Sequence, residues 1–79
     1  MPRFFFHSQD GRVFHDDEGV ELEGIDQAKR TALNFLGESS RNNDSFWGTA
    51  SFQVTVTDAQ GLVLFTLDLT GTLSPAAGG

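Results

Sequence analysis

Hydrophobic residues along the chain change period twice, from two to helical and back to two. The opening segment sets Phe4, Phe5 and Phe6 in a row, reaches Asp10-Gly11 and resumes with Val13 and Phe14. Apolar runs on either side of an Asp-Gly dipeptide predict a β-hairpin, with strands over about residues 4–8 and 12–16. From Ile25 onward, Ala28, Ala32, Phe35 and Leu36 fall on one stripe of a helix, while Asp26, Lys29, Arg30 and Asn34 lie away from it. The helix is expected over about residues 25–36, or on to Ser39, with Gly37 as a C-terminal stop and a polar loop over 39–45. Ala50, Phe52, Val54 and Val56 then alternate with Ser51, Gln53, Thr55 and Thr57, as in a half-buried strand. After a turn at 58–61, residues 62–69 are apolar on both faces, the pattern of a central strand or of one buried at an interface. The closing segment, 71–79, has no such pattern and is expected to be a disordered tail after a single domain over 1–70.

These elements predict an α+β domain in which an antiparallel sheet of two hairpins (ββαββ) carries one helix on one face. A short extra strand at 20–22, before the helix, is left open. With it, the order is similar in topology to the antitoxin-type fold of small proteins that bind a basic toxin, a likeness that carries no function by itself. A two-residue Asp10-Gly11 loop would set Gln9 opposite Arg12, His7 opposite Phe14 and Phe6 opposite His15. Phenylalanines then occupy both faces of the first strand. One face meets the helix. The other, with Phe5, Phe14, Leu62 and Leu64 as candidate interface residues, is expected to meet a symmetric copy of the chain.

Size and charge narrow the function classes. A chain of 79 residues buries only about 60% of its unfolded surface, so self-association would add needed burial. There is no cysteine, hence neither a disulfide framework nor a thiolate metal site, and the expected compartment is the cytoplasm. The N-terminus lacks the pattern of a cleaved leader, and no apolar stretch approaches a membrane span. The formal net charge is −6, with Asp16, Asp17, Glu18, Glu21, Glu23 and Asp26 in one run and no Lys or Arg after Arg41. Phosphate neutralisation requires the opposite sign, so nucleic-acid binding is disfavoured. Asp16, Asp17 and Glu18 are instead candidates for docking a basic protein partner, the acidic run could alternatively form a weak divalent-cation site, and the plainer reading is a solvated connection.

The N-terminal residues carry a family likeness. Pro2-Arg3-Phe4-Phe5-Phe6-His7, the Asp10-Gly11 turn, Asp16-Asp17-Glu18-Gly19-Val20-Glu21-Leu22 and the Ala-rich helix together resemble a family of short alphaproteobacterial proteins of unassigned function. The likeness covers about the first 36 residues. Family members usually place Asp before the helix, where this chain has Gly24, so the resemblance implies a weaker helix cap here. It implies no reaction, substrate or cofactor.

Candidate chemistry is sparse. His7 and His15 are the only imidazoles. Only a three-residue hairpin loop, pairing His7 with His15, would bring them together; with Asp17 they would then offer a nitrogen-oxygen metal or ligand site, the alternative to an interaction module. The EF-hand spacing fails at Gly19 and Gly24. No Gly-x-Ser-x-Gly elbow and no phosphate-cradling loop occurs, so no cofactor and no enzymatic activity are expected. Phe46 and Trp47 are read as closing the end of the core, or as a partner anchor if exposed. The favoured expectation is a non-catalytic, self-associating interaction or structural module.

Overall fold

The computed structural model describes residues 2–42 and 51–77. In chain order the elements are β1 (Arg3–Gln9), β2 (Val13–Phe14), β3 (Val20–Glu21), α1 (Ile25–Asn42), β4 (Phe52–Thr57), β5 (Val63–Leu69) and a 3-10 turn at Pro75–Ala77. All strand pairs are antiparallel, in the order β2-β1-β4-β5, and β3 joins β1 as well. This is the expected α+β sheet of two hairpins. The N-terminal hairpin is β1-β2 and the C-terminal one is β4-β5, and β1 pairs with β4 to join them. The open question at 20–22 resolves as a strand, so the order is βββαββ.

Alternation decides which face of the sheet is dry. Phe4 and Phe6 on β1 and Phe52, Val54 and Val56 on β4 point to one side and are buried against Ala28, Ala32 and Leu36 of α1, with Leu22 closing the cluster. Phe35, Phe65, Leu67 and Leu69 pack around it. Ala28 and Ala32 are fully buried; their small side chains let the helix backbone approach the sheet. The opposite face is mostly polar. The register sets Phe5 beside Thr57, His7 beside Thr55 and Gln9 beside Gln53. It then sets Gln53 beside Asp68 and Thr55 beside Thr66. The expected second apolar face is therefore reduced to half-buried Phe5 and two exposed valines, Val13 beside Gln9 and Val63 beside Thr57.

The helix begins without an Asp cap. The Gly24 carbonyl accepts the first helical bond from Ala28 N–H at 3.1 Å, and Gln27 Oε1 reaches back to accept Glu23 N–H at 2.8 Å. This bond anchors the chain entering the helix, but it takes none of the first-turn amides that an Asp at the cap would have accepted. Three expectations are corrected. The helix does not stop at Gly37 but runs to Asn42; Gly37 is exposed, its carbonyl accepts Ser40 Oγ–H at 3.0 Å, and Arg41 supplies positive charge in the last turn. Ile25 is 43% exposed rather than part of the core, because it lies at the helix entrance. Strand β5 is not central: among the described strands it is an edge, and its apolar residues divide between core packing and an outer edge.

Past β5 the backbone makes the single turn at Pro75–Ala77, closed by Ala77 N–H donating to the Ser74 carbonyl at 3.0 Å. Residues 72–77 are exposed. Phe46 and Trp47 lie outside the described residues. No helix among the described residues is long and apolar enough to cross a membrane.

Candidate functional site

Strands β2 and β3 share one edge of β1, in different registers. The β2 register pairs Ser8 with Phe14 and Gln9 with Val13; the β3 register pairs Arg3 with Glu21 and Phe4 with Val20. Between them the edge carries two extra residues, a bulge that leaves the middle of β1 without backbone partners on that edge, its other edge being paired with β4. Side chains replace the missing ladder. Asp16 Oδ2 accepts Phe6 N–H at 3.0 Å, and Asp16 Oδ1 accepts the Glu18 and Gly19 amides at 3.0 and 3.1 Å. Asp16 N–H in turn donates to His7 Nδ1 at 3.1 Å. Burial alone would raise the Asp16 carboxyl, but the donated Phe6, Gly19 and Glu18 amides, aided by His7, outweigh it and hold the group below its ordinary value.

Gly19 and Arg3 close the bulge. Gly19 has φ of +73°, and a Cβ there would lie 2.8 Å from Arg3 Cγ, 2.9 Å from Phe5 Cε2 and 3.0 Å from the Phe4 carbonyl oxygen. Arg3 Nη1–H donates to the Glu18 carbonyl at 2.8 Å, and Arg3 Nη2 pairs with Glu21 Oε1 at 3.0 Å. Arg3, His7, Asp16, Gly19 and Glu21 thus each have a structural role in one lock.

The hairpin register differs from the expected one by one residue. The loop is three residues long, 10–12, and Gly11 takes φ of +98°. His7 and His15 consequently stack on the open face, with ring centroids 4.4 Å apart and planes 21° from parallel. His7 Nδ1 accepts from Asp16, so the ring proton sits on Nε2 and is donated to Thr57 Oγ1 at 3.0 Å. That bond also satisfies the buried Thr57 hydroxyl. Both His7 nitrogens are engaged, and the in-plane lone pairs of stacked rings run side by side instead of converging. Among the described residues no three His, Cys, Asp or Glu side chains are grouped to hold a metal ion. The pairing that the metal reading required is present, but the ligand geometry is not.

Beside the stacked rings lies a shallow depression of about 170 Å³, lined by Phe5, His7, His15, Asp16, Asp17 and Asp58 among others. Asp58 arrives from the β4-β5 turn, where its Oδ1 accepts the Gln60 and Leu62 amides, both at 2.9 Å. The fold therefore gathers five of the candidate residues, Phe5, His7, His15, Asp16 and Asp17, around one depression. It places the others elsewhere. Phe14 is 56% exposed near the N-terminal hairpin loop, and Leu62 and Leu64, 64% and 37% exposed, lie at the start of β5. Glu18 is exposed, with its carbonyl turned to Arg3. Thr57 and Asp58 were not singled out from the sequence. Nothing local marks them, since they meet β1 only through the β1-β4 pairing.

A family model, that of a domain of unknown function designated DUF6894, matches residues 3–70. No curated protein and no solved structure matches the chain.

Proposed function

Because the chain belongs to the DUF6894 family, a domain of unknown function spanning residues 3–70, membership brings no reaction with it, and we propose a non-catalytic interaction module that self-associates. A surface for a basic protein partner completes the reading. The observation that carries it is the outer edge of β5. Among the described strands this seven-residue strand has a neighbour on one side only, and exposed Leu62, Val63 and Leu64 lead into it. Its backbone donors and acceptors form a template for another strand, and edges of this kind are usually protected by Lys, Pro or inward charge. Here the sequence from Val63 to Leu69 contains no Lys or Pro and one charge, Asp68; the one protecting device is a register shift at Val56/Thr57.

The strand is also self-complementary. Antiparallel pairing of two copies about Thr66 sets Phe65 of one beside Leu67 of the other, and Leu64 beside Asp68, so core-side residues meet core-side residues and no like charges oppose. A two-fold axis normal to the sheet keeps both helices on one face and extends the apolar layer across the junction. The lock around Asp16 supports the non-catalytic part, because it engages His7 and the Asp16 carboxylate in holding β1 to its edge strands.

Light scattering across a concentration series tests the proposal. A mass approaching twice the 8.6 kDa protomer is expected for the parent chain, and the protomer mass for Thr66→Lys, which sets two ammonium groups opposite each other at the axis. A parent chain that stays at one protomer throughout refutes self-association, and a Thr66→Lys dimer refutes the β5 edge as its route.

A further inference from the structure

We infer that the depression beside the stacked histidines is a seat for one arginine side chain of a basic protein segment, an inference resting on the basic-partner part of the reading above. Its size sets the ligand class first. At about 170 Å³ it falls below the roughly 300–1,000 Å³ of small-molecule sites, yet it holds more than a single water.

The lining then selects the chemistry. Phe5, His7 and His15 supply aromatic surface, and the charged side chains that line it are carboxylates: Asp16, Asp17 and Asp58. Aromatic faces with carboxylates at the rim suit a cation, and a planar guanidinium in particular, which stacks on a ring while donating in its own plane. The carboxylates are not equivalent. Asp16 is occupied by three backbone amides. Asp58 accepts its turn amides through Oδ1, and Oδ2 takes no part in that turn. Asp17 is exposed, and among the described residues it makes no hydrogen bond or ion pair. Asp17 and Asp58 therefore flank the seat from two elements, the β2-β3 bulge and the β4-β5 turn. His7 between them gives a fixed floor, since Thr57 and Asp16 hold it at both nitrogens, and His15 stacks on it. An anion would face three carboxylates, and a metal ion would lack converging ligands.

The test is a 1H–15N NMR titration of the full chain at fixed ionic strength with the blocked peptide acetyl-Gly-Arg-Gly-amide, alongside its neutral citrulline and its lysine counterparts. Saturable shifts are expected at the amides of Phe5, Asp17, Thr57 and Gly61. Citrulline should bind about tenfold more weakly, the loss of a charge-assisted hydrogen bond, and lysine more weakly than arginine. Asp17→Asn, an exposed change that leaves the lock intact, should weaken arginine binding severalfold without altering the rest of the spectrum. Equal binding of citrulline, lysine binding as tightly as arginine, indifference to Asp17→Asn, or no saturable shift overturns the inference. Saturable shifts confined to Glu21, Glu23 and Asp26 also overturn the seat, while leaving the basic-partner reading standing. Oligomeric mass is a separate readout and is unaffected by either result.

Discussion

Replacing Gly19 with alanine tests whether the lock around Asp16 is as tight as its geometry states. Two independent costs add at this position. A non-glycine residue at a φ of +73° gives up about 1–2 kcal/mol. The new Cβ would also sit 2.8–3.0 Å from Arg3 Cγ, Phe5 Cε2 and the Phe4 carbonyl oxygen. Arg3 can swing away, but the Phe4 carbonyl belongs to β1, whose Phe4 is buried and paired with Val20. Relief must therefore come from the bulge, at the roughly 1–3 kcal/mol typical of overpacking. The total, about 2–5 kcal/mol, is a large share of the about 4–12 kcal/mol expected for a domain of this length. It should lower the melting temperature by at least about 8 °C.

Two other glycines serve as controls in the same urea and thermal melts. Gly11 has φ of +98° with nothing near its Cβ position, so Gly11→Ala should show the backbone cost alone, about 1–2 kcal/mol. Gly37 is an exposed helix-interior residue with open space around it, and Gly37→Ala should stabilise by about 0.5–1 kcal/mol. The difference between Gly19→Ala and Gly11→Ala isolates the close approach. Agreement between them to within about 0.5 kcal/mol, the spread of ordinary surface changes, would refute the claim that β1 and the bulge are in contact there.

Further expectations concern the same lock. Asp16→Ala leaves the Phe6, Glu18 and Gly19 amides without their acceptor and should cost about 2–3 kcal/mol in urea unfolding; a change below that of an exposed carboxylate would show the bonds to be idle. Because the folded-state value of Asp16 lies below the ordinary 3.8, its contribution is full above the unfolded value and is lost as pH falls through the folded one. The acid limb of stability against pH should therefore be shallower in Asp16→Asn, and parallel limbs would exclude the group as its source. Glu21→Gln removes one partner of an exposed ion pair and should cost less than about 1 kcal/mol. Arg3→Ala should cost more in the same melts, since Arg3 also donates to the Glu18 carbonyl; equal costs would show that bond to contribute nothing.

Periodicity by itself determined β1, α1, β4 and β5, because burial on one face writes period two into a strand such as β4 and a single stripe into α1; it left β3 open and drew β2, which is only Val13–Phe14, too long. The family likeness likewise pointed to the residues of the lock, though not to what they do. Three matters were decided only in the tertiary structure. The hairpin register was one, since Asp10-Gly11 suits a loop of two residues or three; the longer loop is the one in which Asp16 reaches Phe6 and His7, and His7 reaches Thr57, fifty residues away. The length of α1 was another, because Gly37 looks like a stop in sequence but is tolerated where its side faces solvent. The place of β5 was the third. A strand apolar on both faces reads as central or as buried at an interface, and the β1-β4 pairing removes the first of these by taking the middle of the sheet and leaving β5 at its margin. That pairing joins segments more than forty residues apart and brings Asp58 beside Asp17. Local pattern cannot encode such neighbours, because they follow from which strand edges meet and not from which residues form strands.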